Sequence, residues 1–244
     1  AKLCKASSVE NLVFASSCSV YGAGGELSKK EEDRVNPLTA YAKSKISFEE
    51  ALKEINSKNE MCITALRFST ACGPSPRIRL DLVLNDFVAS ALVNKKIDIL
   101  IDGSPLRPLI DVEDMSRAMS WALQREFSTD DATLIINIGR NDNNLTVLEM
   151  ANLVKDSLPG VALSVNEDAE VDKRSYAVDF SLFKELSGDF YPKFKIEDSI
   201  VRLIDQLNPI KNRLIDFRDS NLVRHNTLRE LKSLNILDSN LRLK

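Results

Sequence analysis

Asn11-Leu12-Val13-Phe14-Ala15-Ser16-Ser17-Cys18-Ser19-Val20-Tyr21-Gly22 is the stretch that decides how this sequence folds. A short apolar run, Leu12 to Ala15, closes in two serines, the form of a strand buried on both faces. Working outward, Met61–Phe68, Ile97–Ile101 and Leu134–Ile138 read as further strands. Between them lie helical patterns. Asn36-Pro37 opens one of roughly 20 residues toward Asn59. Others run from about Leu80 to Val93 and from Val112 to Leu123, and Thr146-Val147-Leu148-Glu149 has the form of a capping box. Strand, crossover helix, strand predicts an α/β fold around a mostly parallel sheet.

Composition narrows the function classes. With 33 basic against 36 acidic side chains in 244 residues, the net charge is −3, which speaks against nucleic acid as a partner. No apolar stretch approaches the ~20 residues of a membrane span. Cys4, Cys18, Cys62 and Cys72 form no C-x-x-C pair, so reduced thiols and a cytoplasmic location are expected rather than disulfides or a zinc site. The single histidine, His225, argues against a metal centre and against a Ser-His-Asp hydrolase.

Three segments carry chemistry. The first strand ends in Ser16-Ser17-Cys18-Ser19-Val20-Tyr21-Gly22, the next helix holds Tyr41-Ala42-Lys43-Ser44-Lys45, and the next strand ends in Arg67-Phe68-Ser69-Thr70-Ala71-Cys72-Gly73-Pro74. Tyr41 and Lys45, four apart, share one helix face. An ammonium beside a phenol stabilises the phenolate and readies a tyrosine for proton transfer near neutral pH. Ser17, a hydroxyl at the carboxyl end of a buried strand, lies where open α/β sheets bind ligands. A Tyr-x-x-x-Lys pair alone is usually a surface pair; flanked by these two strand ends, it is a poor candidate for chance.

With these motifs the chain resembles the extended short-chain dehydrogenase/reductases, the NAD-dependent nucleotide-sugar epimerases and dehydratases, from residue 1 to about 207. The resemblance implies a Rossmann-type parallel sheet truncated at its N-terminus, with a small mixed α/β substrate-binding lobe. It makes Tyr41 the catalytic acid/base, Lys45 its partner on the nicotinamide ribose, and Ser17 the catalytic hydroxyl. Ala15, Ser16, Tyr41, Lys45 and the backbone at Ser69 are the implied cofactor contacts. Arg107, in Arg107-Pro108-Leu109-Ile110-Asp111-Val112-Glu113-Asp114, and Arg174, in Asp172-Lys173-Arg174-Ser175-Tyr176, are similar to arginines that meet the sugar-nucleotide diphosphate. Ser17, Ser19 and Thr70 complete the implied substrate contacts, and Asn137 matches a recurrent position. NAD is the implied cofactor, with NADP as the alternative, the partner is a nucleotide-diphosphate sugar, and the family's habit predicts a homodimer.

Departures from the pattern sharpen it. The dehydratases' Asp-Glu pair is Cys18-Ser19 here, and the epimerase/reductases' cysteine position is Ser19. Thr70 and Asp111 stand where the family has Asn and His. What remains is 4-epimerisation, with 4-keto reduction as the alternative and a non-enzymatic binding or scaffold role as the other class. No G-x-x-G-x-x-G is present: Gly22-Ala23-Gly24-Gly25 follows the wrong strand. The reading is therefore of the C-terminal part of a longer enzyme, lacking about 100 residues of βα units, inactive as it stands and with an unpaired first-strand edge. Residues 1–73 are assigned to the cofactor domain, 74–207 to the substrate lobe with Rossmann elements interleaved, and 208–244 to a C-terminal extension. Asp111 to Asp114 reads as acidic residues at a helix N-terminus rather than metal ligands. Lys29–Arg34 reads as a solvated loop.

Overall fold

Every residue of Cys62–Phe68 is buried, and this strand is the centre from which the rest is placed. The computed structural model describes all residues except 24–27, 59, 167 and 170–174. Gly24, Gly25 and Arg174 therefore lie outside the described residues. In chain order, a short helix α1 (Lys2–Ala6) leads to β1 (Asn11–Ser17), a tight helical turn over Cys18–Tyr21, and α2 (Ala40–Ile55). Then come β2 (Cys62–Phe68), β3 (Thr70–Cys72), α3 (Val83–Asn94), β4 (Lys96–Ile99), β5 (Leu106–Asp111), α4 (Val112–Leu123) and β6 (Thr133–Ile138). The remainder is β7 (Asn144–Thr146), α5 (Val147–Ser157), β8 (Ala162–Val165), α6 (Ser181–Ser187), α7 (Ile196–Leu207) and α8 (Arg224–Ser233).

The first sheet is β1-β2-β6, parallel throughout, so the chain belongs to the Rossmann type of α/β fold. Parallel strands bury both faces, which explains why β2 is a continuous apolar run broken only by Thr64 and Arg67. In this sheet β1 pairs with β2 alone among the described strands. Leu66, Phe68 and Ile136 pack with Ala118 and Trp121 of α4 and Phe183 of α6. Burying such a side chain contributes about 1.5–3 kcal/mol. A second sheet, β3-β5-β7, and a third, β4-β8, form beside a separate core in which α3, α5 and α7 pack through Leu84, Val88, Met150, Ile200 and Leu203.

Local signals explain most element ends. Thr146 and Glu149 form the capping box at α5. Asp111 caps α4, its Oδ1 accepting the N–H of Glu113 at 2.9 Å. Two expectations are corrected. The helix read from Asn36-Pro37 starts at Ala40 instead, because the hydroxyl of Thr39 accepts the Ala42 N–H at 3.1 Å and so sets the first turn. The Lys29–Arg34 run is no merely solvated loop. Lys29 pairs with the backbone of Ala177 and Asp179 at 2.9 Å each, and Glu31 Oε1 accepts the Asn137 N–H at 2.9 Å. β5 was not legible as a strand. Its Pro108 sits where the neighbours change, with β7 pairing 106–108 and β3 pairing from Leu109 onward.

Candidate active site

Register brings the site's backbone together. Ser17 lies opposite Phe68, and Phe68 opposite Ile138, so the carboxyl ends of β1, β2 and β6 are level. α2 crosses the same end of the sheet. From one of its turns Lys45 donates to the carbonyl of Ala15 at 2.8 Å. The same ammonium lies 5.2 Å from the Tyr41 ring centroid and 4.9 Å from that of Phe14, within range of a cation–π attraction. An ammonium has three N–H donors, and Lys45 spends one of them on hydrogen bonding among the described residues. Tyr41 itself is 56% exposed. Arg79, held bidentate by Asp81 at 2.7 Å, lies within electrostatic reach of Tyr41.

Ser17 accepts the Ser19 N–H at 3.2 Å, which caps the turn after β1 and leaves its own O–H available to donate. The Ser19 hydroxyl is buried without a hydrogen-bond partner among the described residues. It lines a cavity of about 170 Å³ with Thr70, Arg107 and Tyr176. Gly22, at φ +60°, lines the same cavity and needs to be glycine, since a Cβ there would stand 1.9 Å from the Asn36 carbonyl oxygen. A second cavity of about 580 Å³ shares Thr70 and Arg107 with the first and extends to Asp86, Asp98, Leu100 and Arg218. Arg107 is half-buried and donates to the Leu106 carbonyl at 2.8 Å.

Ser17, Ser19, Tyr41, Lys45, Thr70 and Arg107 therefore sit around the carboxyl ends of the strands and the cavities beside them. Two other expected residues turn their side chains inward. Ser16 donates to Glu49 Oε1 at 2.5 Å. Ser69 donates to the Ile138 carbonyl at 2.9 Å. Any cofactor contact at Ser16 and Ser69 would then use backbone. Asp111, where the resemblance has histidine, is fully committed: it accepts from the Ser199 hydroxyl at 2.7 Å and pairs with Arg202 at 3.1 Å. Cys18 packs as a small residue, donating to the Arg67 carbonyl at 2.9 Å, and burial pushes its thiol well up.

Beneath the site lies a polar network that motif reading missed. Arg67 is clamped by Glu49, with Nη2 to Oε2 at 2.7 Å and both side chains under 10% exposed. Burial opposes the Arg67 charge, but the Glu49 carboxylate and the Tyr21 hydroxyl together more than offset it and hold the guanidinium above its ordinary range. Arg67 Nη1 also donates to the Tyr21 hydroxyl at 3.0 Å, and that hydroxyl donates to Asn137 Oδ1 at 2.8 Å. Burial raises the Tyr21 phenol far above its usual value despite the nearby guanidinium. This network gives Asn137 a role as the tie between β6 and the turn after β1. Two signals were available in the sequence: Arg67 is the one charge in an apolar strand, and Glu49 follows Lys45 by one helical turn.

The model of the NAD dependent epimerase/dehydratase family matches residues 1–139. The chain belongs to that family. Among curated relatives of this epimerase/dehydratase chain is Protein CapI of Staphylococcus aureus, 27% identical over 214 residues, covering 81% of this chain and 63% of CapI. The chain thus spans less than two thirds of that relative's length. Among solved structures, MoeE5 in complex with UDP-glucuronic acid and NAD superposes with a TM-score of 0.73 at 24% identity, covering 86% of this chain and 68% of that one. UDP-glucose 4-epimerase from Bifidobacterium longum, in complex with NAD+ and UDP, gives 0.73 at 20% identity, with 86% and 67% covered. At these identities the likeness extends to the fold. No helix of the described residues is long and apolar enough to cross a membrane.

Proposed function

We propose that this chain carries the proton-transfer and substrate-binding machinery of an NAD-dependent nucleotide-sugar 4-epimerase. The observation that carries the reading is the Lys45 ammonium, 5.2 Å from the Tyr41 ring centroid and fixed at 2.8 Å on the carbonyl of Ala15, in the strand that ends in Ser17 and leads to Ser19 in the cavity shared with Thr70 and Arg107. Family membership supports it, as do the solved neighbours that hold NAD together with UDP-glucuronic acid or with UDP.

The residues present fit the nicotinamide end of NAD. The donors Lys45 keeps are suited to ribose hydroxyls, and the exposed Tyr41 is open to a ligand. Bound NAD would supply a hydride acceptor for sugar C4 and a hydride donor for the return step. Tyr41 takes the proton of the sugar 4-hydroxyl as C4 is oxidised, and gives it back as the 4-keto group is reduced from the other face. Ser17 donates its hydroxyl proton to the same oxygen, and Lys45 orients the nicotinamide ribose beside Tyr41. Arg107 takes the diphosphate, a role suited to a guanidinium fork, and the Ser19 hydroxyl takes a sugar oxygen. Cys18 and Ser19 offer no carboxylate for elimination of water, which favours epimerisation over 4,6-dehydration. Buried, unpaired thiols at Cys18, Cys62 and Cys72 suit the reducing cytoplasm.

The test is a C4 epimer assay by proton NMR on the full-length protein, with UDP-glucose and UDP-glucuronic acid as substrates and NAD present. Interconversion without net cofactor consumption is expected. Stoichiometric loss of NADPH would identify a 4-ketoreductase, and absence of both turnover and nucleotide-sugar binding would point to a scaffold.

A further inference from the structure

The chain beyond α7 delivers one side chain into the larger cavity. Leu214 and Phe217 are 1% and 3% exposed and join the core built by α3, α5 and α7. The turn they anchor, Phe217–Asp219, therefore has a fixed place, and Arg218 within it lines the 580 Å³ cavity. Arg218 grips the first turn of α3. Its Nε and Nη2 donate to the two oxygens of Asp86 at 2.8 and 2.6 Å, and Nη2 also reaches the Ser90 hydroxyl at 2.8 Å. This residue lies outside residues 1–139, the part matched by the family model.

The Arg218 side chain is half exposed, and Asp98, which lines the same cavity, lies within its electrostatic reach; two observations nonetheless point to a ligand. Asp86 and Arg218 both line the cavity that contains Arg107, so an anionic or carbonyl oxygen entering it would meet guanidinium groups from both β5 and the tail. In addition, Asp86 and Ser90 engage only Nε and Nη2, so Nη1 keeps both N–H groups without an acceptor among the described residues. A guanidinium with one edge held by a carboxylate is oriented in advance and can donate from its other edge.

We propose that Arg218 is a nucleotide-binding residue, donating from Nη1 to an acceptor oxygen of the nucleoside diphosphate while Asp86 fixes the plane of the guanidinium. This inference rests on the nucleotide-sugar reading above. The acceptor oxygen belongs either to a phosphate or to the nucleoside. The C-terminal extension is then part of the substrate site, and its sequence tunes which nucleotide is held.

The experiment is calorimetric titration of UDP into the full-length protein and its Arg218→Gln and Arg218→Lys variants, with pyrophosphate and uridine as separate ligands. Loss of a charge-assisted hydrogen bond should weaken UDP binding about tenfold or more in Arg218→Gln, with partial recovery in Arg218→Lys. A matching loss for pyrophosphate assigns the contact to phosphate, and one for uridine assigns it to the nucleoside. The UDP-induced rise in melting temperature, read on the same variants, guards against a folding artefact. A variant that melts cooperatively yet gains less from UDP than the wild type supports the assignment. Wild-type binding with Arg218→Gln within twofold of it overturns the assignment and leaves the epimerase reading standing. No UDP binding by the wild-type protein overturns both.

Discussion

Glu49 and Arg67 form a buried ion pair, Nη2 to Oε2 at 2.7 Å, at the position where Arg67 of β2 lies opposite Ser16 of β1. Ser16 donates to the same carboxylate. The pair thus couples α2, which carries Tyr41 and Lys45, to the two strand ends that frame the site. Removing one partner leaves an uncompensated buried charge. Glu49→Ala is expected to cost about 3–5 kcal/mol in urea unfolding, whereas Glu49→Leu with Arg67→Met should cost clearly less than the sum of the two single changes. Additive losses would show that the two residues act independently.

Tyr41→Phe separates chemistry from stability. The side chain is 56% exposed, so its unfolding free energy should stay within about 0.5 kcal/mol of wild type. Turnover of the full-length enzyme should fall by about 10²–10⁴-fold, the usual worth of a positioned acid/base. Near-normal turnover in this variant would remove Tyr41 from the mechanism.

Lys45→Met should also slow the enzyme, but by a route that additionally touches the cofactor. It deletes the 2.8 Å bond to Ala15 and the charge beside Tyr41 together. The KM for NAD is expected to rise along with the fall in kcat, whereas Tyr41→Phe should leave that KM nearly unchanged. Steady-state kinetics with NAD as the varied ligand distinguishes the two patterns.

Gly22→Ala strains the turn that leads out of the site. The backbone there has φ +60°, and the added Cβ would collide with the Asn36 carbonyl. Destabilisation of about 1–3 kcal/mol is expected from thermal or urea unfolding. Wild-type stability in this variant would mean that the turn relaxes freely.

Glu31 gives a pH signature. Burial pushes its carboxyl above the usual range, only partly offset by the N–H of Asn137. A carboxyl raised in the folded state binds its proton more tightly there than in the unfolded chain. Its contribution to stability is therefore greatest at acid pH and declines as pH rises from the unfolded value, ~4.3, through the raised folded value. Glu31→Gln keeps an acceptor for Asn137 and abolishes that decline, so the variant should gain on wild type as pH rises, by no more than about 1 kcal/mol given the partial exposure. Urea midpoints measured between pH 4 and 7 check this; parallel curves for the two proteins would refute it.

The sequence by itself determined the elements whose signals are local. The apolar runs at Leu12–Ala15 and Met61–Phe68 specify parallel strands. Cys62–Phe68 is buried throughout, as a strand covered on both faces must be, whereas Leu12–Ala15, expected buried, is only half-buried in a strand that pairs with β2 alone among the described strands. The capping box at Thr146 and the Tyr41/Lys45 spacing need only neighbours within a turn. Tertiary structure decided everything that depends on partners distant along the chain. The Arg67 charge was visible in its strand, but its neutralisation by Glu49 arises only when α2 lies across the sheet. The strand character of β5 depends on distant partners, since Pro108 fits only where pairing passes from β7 to β3. Nothing near Arg218 in sequence hints at Asp86, which lies 132 residues earlier and meets it only because Leu214 and Phe217 are drawn into the hydrophobic core. Local hydrogen bonds and periodicity act over a few residues, whereas burial and charge pairing act through space, and the composition of this site follows from the second kind of force.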